Sequence, residues 1–150
     1  MNKNDLEQFL YKARAKTYAG DGGKTVAALS GSSQLEFADG DWLYRDVYYT
    51  GKNNFTGLEA IYFDSKPVFS MCYYGNWGEM TENEVDDILR EALKANPETR
   101  SDKPIHLEKD GFVYDCSPDT DSFYEVSGSE SITKNGEQIY YLYYAGSVLV

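Results

Sequence analysis

Phe55-Thr56-Gly57-Leu58-Glu59-Ala60-Ile61 and Val126-Ser127-Gly128-Ser129-Glu130-Ser131-Ile132 are two copies of one pattern, 71 residues apart. In each, an apolar residue, a glycine, a glutamate and an isoleucine fall on alternate positions. That is the period of a strand, so all four share one face. The same offset sets Gly40 on Gly111, Phe69 on Tyr140, Met71 on Leu142, Tyr73 on Tyr144 and Gly75 on Gly146. Like residues recurring at one offset through a contiguous stretch indicate an internal duplication, with halves at about 1–76 and 77–150.

Working outward, each copy is preceded by a helix signal. Asn4-Asp5-Leu6-Glu7 has the form of a capping box, and Leu6, Phe9, Leu10 and Ala13 follow at helical spacing, which predicts a helix over 4–16. Thr81-Glu82-Asn83-Glu84 repeats the grammar ahead of Val85, Ile88, Leu89, Ala92 and Leu93, and Asn96-Pro97 stops a second helix over 81–95. The remainder reads as hairpins. Their turns fall at Asp39-Gly40, at Asp64-Ser65-Lys66, at Asp110-Gly111 and at Asn135-Gly136. The order is a helix and four strands, twice. The expected fold is α+β, with internally duplicated α-β4 units forming a curved antiparallel sheet, or two packed sheets, with two helices. A half of this length with one amphipathic helix cannot cover its own sheet, so the halves are expected to pack as a single domain over 1–150.

Composition supports an ordered chain and removes several functions. Leu, Ile, Val and Phe make up 31 of 150 residues, just above the fraction below which chains tend to disorder, and 14 tyrosines add apolar bulk with a polar tip. Formal charge is −11, with 14 acids against five bases between residues 81 and 130. That field opposes a phosphate backbone, so direct nucleic-acid binding is not expected. No apolar leader opens the sequence and no 18-residue apolar window occurs, so a cytoplasmic protein without a membrane segment is expected. Cys72 and Cys116, 44 positions apart, match neither a disulfide framework nor a metal knuckle.

Familiar catalytic arrangements fail on spacing. Gly20-Asp21-Gly22-Gly23-Lys24-Thr25 has the end of a phosphate loop, but the required earlier glycine falls on Tyr18 and the segment follows a helix. His106 and Cys116 sit among Glu108, Asp110, Asp115 and Asp119, whose charges oppose a thiolate, so His106 reads as a surface residue. Asp115, Asp119 and Asp121 lack the central glycine and final glutamate of a calcium loop. Neither cofactor nor metal is expected.

What remains is Glu59 and Glu130, each on an otherwise apolar strand face, and a ladder of Tyr44, Tyr48, Tyr73, Tyr140 and Tyr144 at alternate strand positions. A carboxylate on such a face needs a partner. One reading pairs each glutamate with a cation inside the fold. The other places Glu59, Glu130, Tyr44, Tyr48, Tyr73 and Tyr144 around a shared groove, with Tyr18 at its mouth, open to a polar or planar ligand; a cavity of roughly 300 Å³ or more would mark such a site. The tyrosine doublets, such as Tyr73-Tyr74 and Tyr143-Tyr144, put aromatics on both faces of the sheet.

Thr17-Tyr18-Ala19-Gly20, Leu35-Glu36-Phe37, Gly40-Asp41-Trp42, Tyr44-Arg45-Asp46, Phe55-Thr56-Gly57-Leu58-Glu59 and Ser70-Met71-Cys72-Tyr73-Tyr74-Gly75 resemble an uncharacterised bacterial family, number 5680 among the domains of unknown function. The resemblance runs over nearly the whole chain and departs from the family pattern at Phe37, Phe69 and Cys72. It implies a free-standing relative of a domain that also occurs behind an Xre-type helix-turn-helix, and so a sensor or interaction module; it supplies no activity. The expected function is a non-enzymatic module that binds a small molecule or a protein partner. The alternatives are a hydrolase-like enzyme using Glu59 and Glu130, as on a saccharide, and an acidic protein that occupies a basic partner.

Overall fold

The computed structural model describes residues 3–18, 20, 22–95 and 103–149. Helix α1 (Lys3–Lys16) leads into β1 (Ser33–Asp39), β2 (Trp42–Thr50), β3 (Asn54–Phe63) and β4 (Lys66–Asn76); α2 (Glu82–Ala95) leads into β5 (Ile105–Lys109), β6 (Phe112–Pro118), β7 (Glu125–Lys134) and β8 (Glu137–Val148). All eight strands join one open antiparallel sheet in the order β1-β2-β3-β4-β8-β7-β6-β5. Of the two expected arrangements, the continuous sheet is the one formed. The two meanders meet along β4 and β8, where Tyr73 lies opposite Tyr144, its counterpart in the repeat.

Turn chemistry explains the register and corrects one alignment. Asp64 and Ser65 have φ of 49° and 62°, Asp110 and Gly111 have 50° and 80°, and Asn135 and Gly136 have 53° and 82°. Both loop residues are left-handed in each, the form that matches strand twist in a two-residue hairpin. Lys66 therefore belongs to β4, not to the turn. The β1–β2 loop is Gly40-Asp41, with the positive φ of 60° on its first residue. Because one loop type needs its glycine first and the other second, Gly40 is equivalent to Asp110, and the Gly40–Gly111 match is overturned. The ladders place the first hairpin at an offset of 70, so that Tyr44 matches Tyr114 and Asp46 matches Cys116, and return to 71 from β3 and β7 onward. Register shifts at Ile61/Tyr62 and Ile132/Thr133 recur at that same offset.

Both helices lie on one face of the sheet, α1 against β1 and β2 and α2 against β5 and β6. α1 buries Leu6, Phe9, Leu10 and Ala13, and the Phe9 ring stacks on Trp42 at 5.1 Å between centroids. Leu6, Phe9 and Leu10 each contribute roughly 1.5–3 kcal/mol by leaving water, and the Ala13 methyl less. α1 already includes Lys3, so Asn4 stands inside the helix and not at its cap. The second capping box forms: Thr81 N donates to Glu84 Oε2 at 2.8 Å and Glu84 N donates to Thr81 Oγ1 at 3.3 Å. The Asn96-Pro97 stop lies outside the described residues.

The segment after α1 runs beside β1. Thr25 N donates to Gln34 O at 3.1 Å and Glu36 N to Gly23 O at 2.8 Å, which covers the edge of the sheet with backbone. Gly23, at a φ of 81°, packs with no room for a side chain beside Thr17 and the Glu36 carbonyl, so the glycine-rich stretch serves as edge cover; its Asp21 lies outside the described residues.

Candidate functional site

The helices sit over the two outer strand pairs. Arg90 on α2 reaches the segment that follows α1, its Nε donating to the Tyr18 carbonyl at 3.1 Å. Beside Tyr18 is a cavity of about 130 Å³, walled by α1, α2 and strands β1, β2, β3, β4, β7 and β8. Glu59, Glu130, Tyr18, Tyr48, Tyr73 and Tyr144 all line it; Tyr44 does not, lying fully buried outside the wall. The volume is below the expected 300 Å³, since the tyrosine rings fill much of the space over the central strands. A cavity of this order holds a molecule roughly the size of benzene.

Its polar wall is built from three strands and a helix. Arg14 follows Leu10 by one helical turn, on the buried stripe of α1, and its guanidinium reaches Glu59 on β3: Nη2 donates to Oε2 at 2.5 Å and Nε to the same oxygen at 3.2 Å. Both side chains are 4% exposed. Arg14 Nη2 also lies 4.0 Å from Met71 Sδ. Burial on its own would lower the Arg14 pKa, but the charge and hydrogen bonds of Glu59 outweigh it and the guanidinium is held charged. Asp46 pairs with Glu59 across the β2–β3 ladder, and Tyr73 donates its hydroxyl hydrogen to Asp46 Oδ1 at 2.7 Å. Burial first, and then the Glu59 charge, push the Asp46 carboxyl up to about 7, while the Tyr73 hydrogen bond and Arg14 oppose the shift. Burial and the carboxylates beside them raise Tyr44 and Tyr73 well above the ordinary phenol value.

The repeated glycine now has a local reason. A Cβ on Gly57 would stand 2.3 Å from Tyr73 Oη, and one on Gly128 would stand 2.5 Å from Tyr144 Oη. In each half the missing side chain lets the tyrosine of the last strand lie across the third strand toward the second. In the first half its hydroxyl meets Asp46; in the second it meets Cys116, with Sγ 3.9 Å away. The halves therefore share geometry and differ in chemistry. Phe55 adds an apolar wall, stacked on Trp77 at 5.2 Å and on Tyr140 at 6.1 Å.

Other expectations fall away from the cavity. His106 is on the opposite face, its Nδ1 2.6 Å from Asp115 Oδ1, with its pKa raised by that hydrogen bond first and then by Glu108. Cys116 is buried and faces the helices, so His106 and Cys116 stand on opposite sides of the sheet. Asp119 accepts from Ser127 Oγ at 3.0 Å. Among the described residues, no group of three or more side chains is placed to hold a metal ion, and no helix is long and apolar enough to cross a membrane. Arg14 and Asp46 were not among the sequence candidates. The signals were there: a guanidinium on an apolar helical stripe, and an acid within the alternation Trp42, Tyr44, Asp46, Tyr48.

A family model described as Domain of unknown function (DUF5680) matches residues 46–149. The chain belongs to this family. Within DUF5680 the matched stretch opens on Asp46 and takes in Glu59, Tyr73, Glu130 and Tyr144, while α1 with Arg14 precedes it. No curated protein and no solved structure matches the chain.

Proposed function

We propose that this domain is a non-enzymatic binding module whose ligand is a small molecule held between the two helices and the centre of the sheet. The observation that carries the reading is the Arg14, Glu59, Asp46 and Tyr73 cluster set into the wall of a cavity whose remaining lining is mainly aromatic and aliphatic, with Thr50, Asp86 and Glu130 besides. Apolar cavities with a few convergent polar groups are the usual form of a small-molecule site. Buried ionic groups contribute little net stability compared with apolar packing of equal volume, so their retention here fits a role in recognition.

The hydrolase reading loses its second carboxylate. Glu59 is engaged twice by Arg14 through one oxygen and offers an ion-paired group where acid–base work on a glycoside needs a mobile one. The cavity is also smaller than a sugar ring with its hydroxyls and hydration requires. As a soluble sensor it would act within the cytoplasm, coupling occupancy to the approach of α1 and α2 through Arg90 and Tyr18.

Trp77 lines the cavity and reports on it. Titrating the protein with a panel of compounds of up to about ten heavy atoms, while following Trp77 fluorescence and the melting temperature, tests the reading. Saturable binding that perturbs Trp77 supports it. Binding that leaves Trp77 unmoved, or no saturable binding across charged and neutral compounds alike, overturns it.

A further inference from the structure

We propose that the helix-free face of the sheet is the surface through which two copies of this chain associate, sheet against sheet. Tyr49, Tyr74 and Tyr143 adjoin the cavity-lining Tyr48, Tyr73 and Tyr144 in sequence, so they point to the opposite face. The ladders align one row on that face as Tyr49, Thr56, Tyr74, Tyr143, Ser129 and Ser117, running from β2 to β6. Every side chain in it carries a hydroxyl and none carries a charge. The row beside it, Val47, Leu58, Cys72, Ala145 and Ser127, is uncharged as well. Tyr49, Leu58, Tyr74 and Tyr143 are between 41% and 56% exposed, and the Tyr74 and Tyr143 ring centroids lie 5.5 Å apart, which makes a contiguous patch. Charges return at the margins, in the Glu36–Arg45 pair and where His106 meets Asp115 and Glu108.

Charge, chemistry and area point to a second copy as the occupant. Two chains of net charge −11 associate only where acids are not set opposite acids, and the two central rows are such a place. A two-fold interface sets one patch against itself, so its groups must be self-complementary. A hydroxyl both donates and accepts, so a row of tyrosine and serine can satisfy its own copy, as a row of lysines or of glutamates cannot. Aromatic side chains at the centre with charge kept to the rim is also the composition of an interface core. Six strands ~4.8 Å apart, over seven residues of ~3.3 Å each, present roughly 650 Å² per copy, and two such faces reach the ~1,200–2,000 Å² of a stable interface. The negative charge that repels a phosphate backbone opposes stacked nucleobases on the same tyrosines. The cavity opens on the other side of the sheet, so this inference is independent of the ligand-binding reading.

Sedimentation equilibrium of the full chain, from about 1 μM to about 1 mM, reads the association. A monomer–dimer equilibrium is expected, and it should tighten as sodium chloride rises from about 0.05 to about 0.5 M, because salt screens the repulsion between two acidic copies. Tyr74→Asp and Tyr143→Asp each put a carboxylate at the centre of the face and should weaken the dimer at least tenfold, with the melting temperature of the dilute protein nearly unchanged. Tyr74→Phe should weaken it far less. Cys72 should react quickly with a thiol reagent in dilute protein and several-fold more slowly in concentrated protein, where the second copy covers it. A chain that stays monomeric to about 1 mM at the higher salt overturns the proposal. Cellohexaose binding by that monomer, lost in Tyr74→Asp, would then assign the face to a saccharide. A dimer that both aspartate variants leave intact, or in which Cys72 reacts as fast as in the monomer, uses another surface and also overturns it.

Discussion

Arg14 of α1 and Glu59 of β3 form an ion pair 45 residues apart in sequence, with the guanidinium Nη2 2.5 Å from the carboxylate and almost no solvent on either side chain. Removing one partner leaves the other charged in a dry place, which costs about 3–5 kcal/mol. Urea denaturation of Arg14→Met and of Glu59→Gln should each show a loss of that size. The double replacement Arg14→Met with Glu59→Leu should lose less than the two single losses added together. Losses below about 1 kcal/mol for both single variants would show that the pair is solvated and exchangeable.

Asp46 supplies the pH dependence. Its folded-state value is raised to about 7 from an ordinary 3.8, so the folded state holds a proton that the unfolded chain has released. The stabilisation is present in full below about 4 and is lost as pH climbs through about 7. Asp46→Asn keeps an acceptor for Tyr73 and removes the titration. Between pH 5 and pH 8 the native protein should therefore lose on the order of a few kcal/mol relative to Asp46→Asn, as read by denaturation at each pH. Parallel stability curves for the two proteins over that range would mean that Asp46 is already ionised at pH 5.

The two glycines beneath the tyrosines should respond differently to added bulk. Gly57→Ala meets the Tyr73 ring and hydroxyl at 2.3–2.4 Å, so it should destabilise the fold by about 1–3 kcal/mol, and Tyr73→Leu in the same chain should recover part of that loss. Gly128→Ala meets the Ser117 carbonyl at 2.7 Å and Pro118 Cα at 2.8 Å as well as Tyr144, so trimming Tyr144 should recover little. Equal rescue in both halves would contradict the backbone contact seen on β6.

The thiols are expected to separate by accessibility. Cys72 is exposed on the face without helices, while Cys116 is 1% exposed. A thiol reagent on the native protein should label Cys72 rapidly and Cys116 only after denaturation, with mass spectrometry assigning the sites. Cys72→Ala should change stability by less than about 0.5 kcal/mol, and Cys116→Ala should cost about 1–2 kcal/mol through a small cavity. Rapid native labelling of Cys116 would point to opening between β6 and the helices.

Much of the fold was legible because its signals are local. Alternation in Trp42, Tyr44, Asp46 and Tyr48, the loop pairs Asp110-Gly111 and Asn135-Gly136, and the apolar spacing of Leu6, Leu10 and Ala13 each act within a few residues. Gly40 and Gly111 are a misleading match in sequence, because the place of a glycine in a two-residue loop depends on which residue carries the positive φ. The site was less legible because its pairs are not local. Glu59 announces a buried charge, yet nothing beside it in sequence names Arg14 as its partner, and Asp46 becomes distinctive only when the β2–β3 ladder sets it against Glu59. Tyr44 shares β2 with Asp46 and Tyr48, which line the cavity, but it stands in the row of Ile61 and Phe69, four residues along the strand from the row of Tyr48, Gly57 and Tyr73, and so lies outside the wall.

Tyr73 standing against Tyr144 gives the chain the geometry of an isologous dimer written into one polypeptide. Two identical units joined along such an axis would be bound to carry the same groups twice. A single chain is under no such constraint, and here the position that holds Asp46 in one half holds Cys116 in the other. With the halves in one chain, one carries a carboxyl at that position and the other a thiol, so a symmetric frame encloses a lopsided pocket.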